Sequence, residues 1–471
     1  MTAQSFLICI FCKETPSYIN NQKAQIMKKV LYAVLIVFLF ALGFGGKYLI
    51  DRSPIFTGFA AKDMASCLFV AGRSQESIEA VDLNFSLVKM ASLEVDTLAK
   101  TVTAKFMGFG EQTAVYRQGI GCALVADEDF DKARSMHSVV TAYPLYPETV
   151  YWPTGDKMRE DIPVNVNKEK LDKAIADALA QGNTRGIVVA YDTLFMAEAY
   201  GEGFDKTTPL LGWSMTKSIT SALIGILVKE DKLNVNVPAP IEEWQNDERK
   251  NITTRSLLHM TSGLEWVEDY GDISDATIML YNRGDVAKYA IGKKAVLPAD
   301  SLWYYSSGTS NILAALVKRS FVGQQQYLDF PRQKLFNRIG MRSAIMETDA
   351  VGTYVASSYT YANTRDWARF GLLYLQNGIW NNDTIFPSNW VDFTQQEAPH
   401  SDGKYGAQFW LNKTGHEVPD APADTYFADG FHGQRVYIIP SKHLVIVRMG
   451  ESKKGEFDYN KFVSSVVAAF E

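Results

Sequence analysis

Ser214 and Lys217 stand three residues apart in the stretch Leu211–Asp231, LGWSMTKSITSALIGILVKED. A hydroxyl becomes a useful nucleophile when a base lies within hydrogen-bond reach, and positions i and i+3 share one helix face, so Oγ and Nζ can meet. The serine would sit at the helix start, where free backbone N–H groups and the positive end of the dipole favour a developing oxyanion. Ile219, Leu223, Ile226 and Leu227 recur at helical spacing behind it and would bury the helix. Burial desolvates Lys217 and lowers its pKa, and only a neutral lysine accepts the serine proton. Acyl transfer to Ser214 is the chemistry this pattern offers; the bland alternative is an N-cap serine with a solvated lysine one turn later. A second S-x-x-K, Ser86-Leu87-Val88-Lys89, falls in a segment that reads as strand. There the spacing sends the two side chains to opposite faces, so that copy is taken as chance.

The elements that must position the pair belong to a chain of 471 residues, 47% hydrophobic and 21% charged. That is enough for one large globular domain with an appended one. A net charge of -6 leaves no basic excess to hold phosphates, which argues against a nucleic-acid partner. Cys9, Cys12, Cys67 and Cys122 lack the number and spacing of a structural zinc site, and no H-E-x-x-H pair occurs. Neither a metal nor another cofactor is expected. No G-x-S-x-G elbow is present, which argues against an α/β-hydrolase triad.

Met27-Lys28-Lys29 followed by the apolar run Val30–Ile50 reads as a translation start with a basic flank, leaving residues 1–26 as a spurious or cytosolic extension. Val30–Phe44 alone fits the roughly 7–15 residues of a signal-peptide core. Counted through Ile50, with no A-x-A cleavage site after it, the run is about as long as a bilayer span. Residues 27–50 are therefore a signal anchor, or else a cleaved signal; either places the remainder outside the cytoplasmic membrane, because the lysines stay inside. In an oxidising compartment Cys67 and Cys122 are expected to pair as a disulfide, the alternative being two buried free thiols. Residues 60–150, with short β-like runs at Leu68–Ala71, Ala80–Val88 and Thr101–Phe106, read as a small β-rich domain, and Pro147–Asp156 as a turn-rich linker.

The main domain, residues 168–471, opens with an amphipathic helix carrying Leu171, Ile175, Ala176 and Leu179 and ended by Gly182. Strands at Gly186–Tyr191 and Met196–Tyr200 lead into the serine helix. Mostly helical sequence follows to Tyr374, and strands return at Gly406–Leu411, Arg435–Ile439 and Leu444–Met449 before a closing helix. Strands at both ends with helices between them give an α+β class: an antiparallel sheet flanked by helices, with an inserted all-helical half.

At this point the residues resemble a family. Ser214-Met215-Thr216-Lys217, Leu258-His259-Met260-Thr261-Ser262-Gly263-Leu264, Tyr305-Ser306-Ser307-Gly308 and Gly430-Phe431-His432-Gly433-Gln434 follow the order and approximate spacing of the serine β-lactamase and penicillin-binding superfamily. The likeness is to its class-C-like branch of esterases and 6-aminohexanoate-dimer hydrolases, over about residues 168–471. It rests on the ordered set of motifs rather than on any one of them. The resemblance implies a β-lactamase/transpeptidase-like fold, acylation of Ser214, Lys217 as base, and Tyr305 as the tyrosine of a Y-x-N element. Ser307 stands where that element often has asparagine. Glu268-Asp269-Tyr270 resembles a stretch of the nylon-oligomer hydrolases whose tyrosine contacts the substrate amide, which carries to Tyr270. His259 is taken as structural.

Tyr305 also stands on its own residues. It lies on a loop entering the apolar run Ile312–Val317, where functional side chains are often presented. Its rivals are the neighbouring Tyr304 and a plain packing role. For the family's third element, a K-T-G or H-x-G strand beside the serine, two stretches compete. Lys413-Thr414-Gly415 precedes a Pro- and Asp-rich loop and reads as a turn. Phe431-His432-Gly433-Gln434 runs straight into a strand and is preferred, so His432, Gly433 and Gln434 join Tyr270 and Ser307 as expected substrate contacts and oxyanion donors. The expectation is an exported serine hydrolase, membrane-bound through residues 30–50, that forms an acyl-enzyme from an ester or small amide, β-lactams included. A D-Ala-D-Ala carboxypeptidase and an inactive envelope-binding module are the alternatives.

Overall fold

The computed structural model describes residues 16–140, 148–159 and 162–470; Cys9 and Cys12 lie outside them. The chain divides into two compact units, Met1–Ser53 and Pro54–Glu471. One helix, α1 (Pro16–Phe69), carries the chain through the first and into the second. Its stretch Gln25–Phe69 is long and apolar enough to cross a membrane, and large apolar side chains from Ile26 to Phe40 are exposed along it.

In the second unit, Pro54–Phe69 is helical, so the apolar run at Leu68 closes a helix instead of forming a strand. The β-structure of this region is narrower than residues 60–150. It is an antiparallel meander of β1 (Ser92–Asp96), β2 (Thr101–Phe106), β3 (Phe109–Arg117) and β4 (Gly121–Leu124). This sheet shares its compact unit with everything that follows. Arg117 reaches from β3 to the carbonyls of Thr348 (2.7 Å) and Asp349 (2.9 Å), and Lys62 from α1 forms a buried ion pair with Glu347 at 2.5 Å. Ser86 turns at a φ of 43° and Lys89 follows in a short 3-10 turn. The second S-x-x-K is therefore a turn rather than a strand.

The expected disulfide is not formed. Cys67 and Cys122 are both buried and free. Cys67 on α1 turns its sulfur towards Asp63, 4.0 Å away, and the hydroxyl of Tyr361, 3.9 Å away. Cys122 on β4 is tied by its backbone N–H to Glu347 at 2.6 Å. Burial raises both thiols, that of Cys122 to about 12, so both stay protonated.

The larger sheet is antiparallel with strands from both ends of the domain, as expected. It also gains Tyr426–Gly430, a segment not expected as strand, and Gly406–Leu411 narrows to Trp410–Leu411. The helix α2 (Lys168–Leu179) precedes β5 (Thr184–Tyr191) and β6 (Leu194–Tyr200), and the serine helix α3 (Thr216–Lys229) comes next. The helical half includes α4 (Ser307–Arg319), and α5 (Thr364–Leu375) returns the chain to the sheet. There β7 (Trp410–Leu411), β8 (Tyr426–Gly430), β9 (Gln434–Ile439) and β10 (Leu444–Gly450) complete six antiparallel strands in the order β7-β8-β9-β10-β5-β6. Period-two alternation divides the two faces. Leu444 and Ile446 join α2 and the closing helix α6 (Tyr459–Val467), whereas Val445 and Val447 face α5 and the core that holds α3. Gly371 lets α5 lie close on the sheet, since a Cβ there would come 2.6 Å from Val445.

Candidate active site

Ser214 is presented by a tight entry into α3. Leu210–Leu211 pairs with Tyr361 and Ala362, and the Gly212 N–H donates to the Thr360 carbonyl at 2.8 Å. A 3-10 turn, Trp213–Met215, then runs into the helix. Trp213 holds a φ of 47°, an αL conformation that is uncommon for a bulky side chain. Its ring is held by Phe59 (6.2 Å between centroids), Tyr359 (6.2 Å) and Phe431 (5.8 Å). Ser214 sits partly exposed at the helix start, while Thr216–Leu227 is buried on every side.

Lys217 is 1% exposed. Its Nζ donates to Ser214 Oγ (3.1 Å), Ser307 Oγ (3.1 Å) and the Ser357 carbonyl (3.0 Å). Burial lowers its pKa from 10.5 to about 8, against the opposing pull of Glu268 and Asp429. At pH 7 such a group is neutral about one time in ten. Tyr305 lies beside the pair, close to Ser214, with Lys217 Nζ 4.8 Å from its ring centroid. Burial raises its phenol well above 10, so it stays protonated and serves as a donor. Of the two, Lys217 is the group whose pKa lies near neutral pH. The Tyr305 ring stacks on Trp410 at 5.5 Å and meets Tyr405 edge-on at 5.9 Å, which fixes its orientation. Tyr304, the rival, is exposed.

Ser307 and Tyr270 join the same constellation through Glu268. The Glu268 carboxylate accepts from Trp266 Nε1 (2.5 Å), Tyr270 OH (3.0 Å), Ser307 N (2.8 Å) and Ser307 Oγ (2.5 Å). Tyr270 OH is also 3.1 Å from Ser307 Oγ, and its ring stacks on Phe431 at 5.6 Å. Glu268 stands in the Glu268-Asp269-Tyr270 stretch, of which only the tyrosine is expected in the site. Its signal is the i, i+2, i+4 spacing of Trp266, Glu268 and Tyr270, which puts three side chains on one face of an extended segment.

The third element is displaced from its expected place. His432 takes a φ of 57°, pairs its ring with Glu451 and stacks on Phe431 at 3.7 Å. Gly433 has a φ of 86°, and a Cβ there would strike the Tyr459 hydroxyl at 2.0 Å and Arg448 at 2.6 Å, away from the nucleophile. Gln434 spends its amide on the Phe431 carbonyl (3.1 Å) and on Gly450. These three close the β8–β9 turn. The backbone beside the serine belongs to the residues before it: a Cβ on Gly430 would fall 2.2 Å from the Gly212 carbonyl, and Asp429 is close enough to Lys217 to shift its proton. Arg435 Nε holds Asp429 Oδ1 at 2.5 Å. Lys413-Thr414-Gly415 is an exposed turn, as its surroundings suggested, and His259 is buried with its ring against Phe393.

Among the described residues, Asp63, Cys67 and Asp82 form a potential metal-ligand group, their candidate ligand atoms lying within 4.8 Å of one another. The carboxylate of Asp82 already receives Arg73 (2.7 Å) and Arg185 (2.9 Å). A cation there would face two guanidinium groups, so this donor set does not fit one.

The family described as Beta-lactamase matches residues 171–463. A 6-aminohexanoate-dimer hydrolase of Paenarthrobacter ureafaciens is 23% identical over 295 residues, 56% of this chain and 72% of that protein. Among solved structures, a Bacillus anthracis protein provisionally called a 6-aminohexanoate-dimer hydrolase superposes with a TM-score of 0.54 at 20% identity, over 71% of this chain and 89% of its own. A family VIII carboxylesterase gives 0.53 at 14% identity, over 66% and 98%.

Proposed function

The chain belongs to the Beta-lactamase family, and from that premise we propose that it is a serine hydrolase that forms an acyl-enzyme on Ser214 from an ester or small amide. The observation that carries this reading is Lys217: a buried amine, lowered to about 8, with Nζ 3.1 Å from the Ser214 hydroxyl. Neutral Lys217 takes the Oγ proton as Oγ attacks the carbonyl carbon. The Ser214 N–H and a backbone N–H from the Gly430–Phe431 end of β8 hold the oxyanion. Tyr305 passes a proton to the leaving alkoxide or amine, and Lys217 restores it. Water, deprotonated by the same groups, attacks the ester of Ser214 and frees the acid.

The charges beside the nucleophile bear on the substrate. Lys217 is flanked by the carboxylates of Glu268 and Asp429, and a substrate bearing its own carboxylate beside the scissile bond is repelled by both. Neutral esters and amides, including those related to 6-aminohexanoate oligomers, are favoured over β-lactams and D-Ala-D-Ala peptides. Residues 27–50 act as a signal anchor that holds this unit outside the cytoplasmic membrane, consistent with Lys28 and Lys29 on one side of a long apolar helix.

The test is intact-mass detection of an acyl adduct on the protein across p-nitrophenyl esters, small amides, a β-lactam and a D-Ala-D-Ala peptide. Adducts from esters or amides that vanish in Ser214→Ala are expected. An unmodified wild type across the whole panel counts against the enzyme reading, and exclusive acylation by the β-lactam or peptide favours a penicillin-binding role.

A further inference from the structure

Two-residue hairpin turns ordinarily carry Asn, Asp or Gly. In the β2–β3 turn Met107 (φ 50°) and Gly108 (φ 85°) take those places, and Met107 leaves 81% of its surface in solvent. Phe109, the next residue, is 50% exposed. Met90 is 53% exposed and reaches the same end of the sheet, because Ser92 pairs with Lys105. Three large apolar side chains thus project from one end of the meander, with exposed Lys89 beside them.

That end is also where the chain enters the unit. Phe56 packs edge-on against Phe106 at 5.1 Å, and Thr57 Oγ1 donates to the Gly110 carbonyl at 2.5 Å. Thr57 lies seven positions after Ile50, the end of the apolar run, a span of no more than about 25 Å when fully extended. A chain that leaves a bilayer at Ile50 therefore keeps the Met107 turn close to the headgroups.

We propose that Met90, Met107 and Phe109 seat the catalytic unit on the outer surface of the membrane that holds residues 30–50, by inserting into the lipid headgroup and upper acyl region. This rests on the reading of residues 27–50 as a retained anchor. The tether makes insertion an intramolecular event, so a contact too small to recruit a free protein suffices to hold a linked one down. Lys89 at the rim suits anionic headgroups. Leu98 supplies an internal control: it is 96% exposed, but sits in the β1–β2 turn at the opposite end of β2.

The experiment reconstitutes the full chain in vesicles of phosphatidylethanolamine and phosphatidylglycerol that carry a photoactivatable diazirine on some acyl chains. Irradiation is followed by peptide mapping with adducts located by fragmentation. Adducts are expected on residues 30–50 and on Met107–Phe109, the latter at about tenfold or more the Leu98 level. The variant Met107→Glu/Phe109→Glu should lose the turn signal and keep that of residues 30–50. Labelling of residues 30–50 with the turn no higher than Leu98 overturns the seat alone. No labelling of residues 30–50 overturns the anchor reading and the seat together.

Discussion

Ser307 Oγ donates to Glu268 Oε1 over 2.5 Å, and the same hydroxyl accepts from Lys217 Nζ over 3.1 Å. One serine thus couples a carboxylate to the Lys217 amine, and that carboxylate raises the Lys217 pKa against the effect of burial. Glu268→Gln keeps the shape and removes the charge. Its amide oxygen also cannot accept from every donor now on the carboxylate, which costs about 1–3 kcal/mol, or roughly ten- to hundredfold in kcat/KM. The decisive reading is the pH profile: the Lys217 limb moves to lower pH, by up to about one unit. A slower enzyme with an unmoved limb makes Glu268 a packing residue only.

The pH dependence of the unmodified enzyme has a definite sign. In the proposed mechanism Lys217 works as the neutral amine, and its pKa lies at about 8. Below that, kcat/KM for a neutral ester climbs about tenfold per pH unit, and above it the rate levels off. Lys217→Ala loses the limb along with about 100- to 10,000-fold in rate. The same shift governs stability: from about 8 to 10.5 only the unfolded chain binds the lysine proton, so folding stability rises with pH across that window and the gain is absent below it. An activity limb centred near 6 would assign the base elsewhere.

These two predictions differ in how far the sequence could lead to them. The Ser214–Lys217 contact follows from helical spacing alone, a local rule. Most strands of the large sheet are marked by where apolar runs start and stop, but Tyr426–Gly430 is not, and the strand order is set by distant pairing. Ser307, and the preference for Tyr305 over Tyr304, are legible only as part of an ordered set of motifs. Glu268 is harder, because what a carboxylate does depends on which distant donors converge on it, and Ser307 lies 39 positions away. The expectation that Gly433 lies beside the nucleophile, the place Gly430 takes, fails for a backbone reason. Both glycines border a strand in the sequence, but a φ of 86° turns Gly433 towards Tyr459, and nothing local announces that. The free thiols have a similar origin: Cys67 lies on a helix whose rotation points its sulfur at Asp63 and Tyr361.

The first helical turns of the second unit are held by charge as well as by packing. Lys62, 3% exposed, pairs at 2.5 Å with Glu347, which is fully buried and also accepts from Ser66 and from the Cys122 N–H. Lys62→Met leaves that carboxylate without its cation, which typically costs about 3–5 kcal/mol. Denaturant unfolding reads the loss. Adding Glu347→Gln to Lys62→Met removes the stranded charge and recovers most of it. Equal stability of Lys62→Met and the unmodified protein would mean that the pair does not hold the helix.

The last prediction sets Gly430 against Gly433. A Cβ on Gly430 would come 2.2 Å from the Gly212 carbonyl, two residues before the nucleophile, and 2.9 Å from Gln434. The backbone that sets Ser214 has to move, and with it the oxyanion donors. Losing one such donor costs about 100- to 1,000-fold in kcat, which is the scale expected for Gly430→Ala. Gly433→Ala meets a different obstacle. Its φ of 86° disfavours any side chain, and the new methyl collides with Tyr459 and Arg448. The penalty falls on folding, about 1–3 kcal/mol, while the molecules that fold keep kcat within a small factor. Measuring both kcat and the denaturation midpoint separates the two cases. A Gly433→Ala enzyme that is stable but inactive, beside a Gly430→Ala enzyme that is fully active, would return the third element to the turn at His432–Gln434.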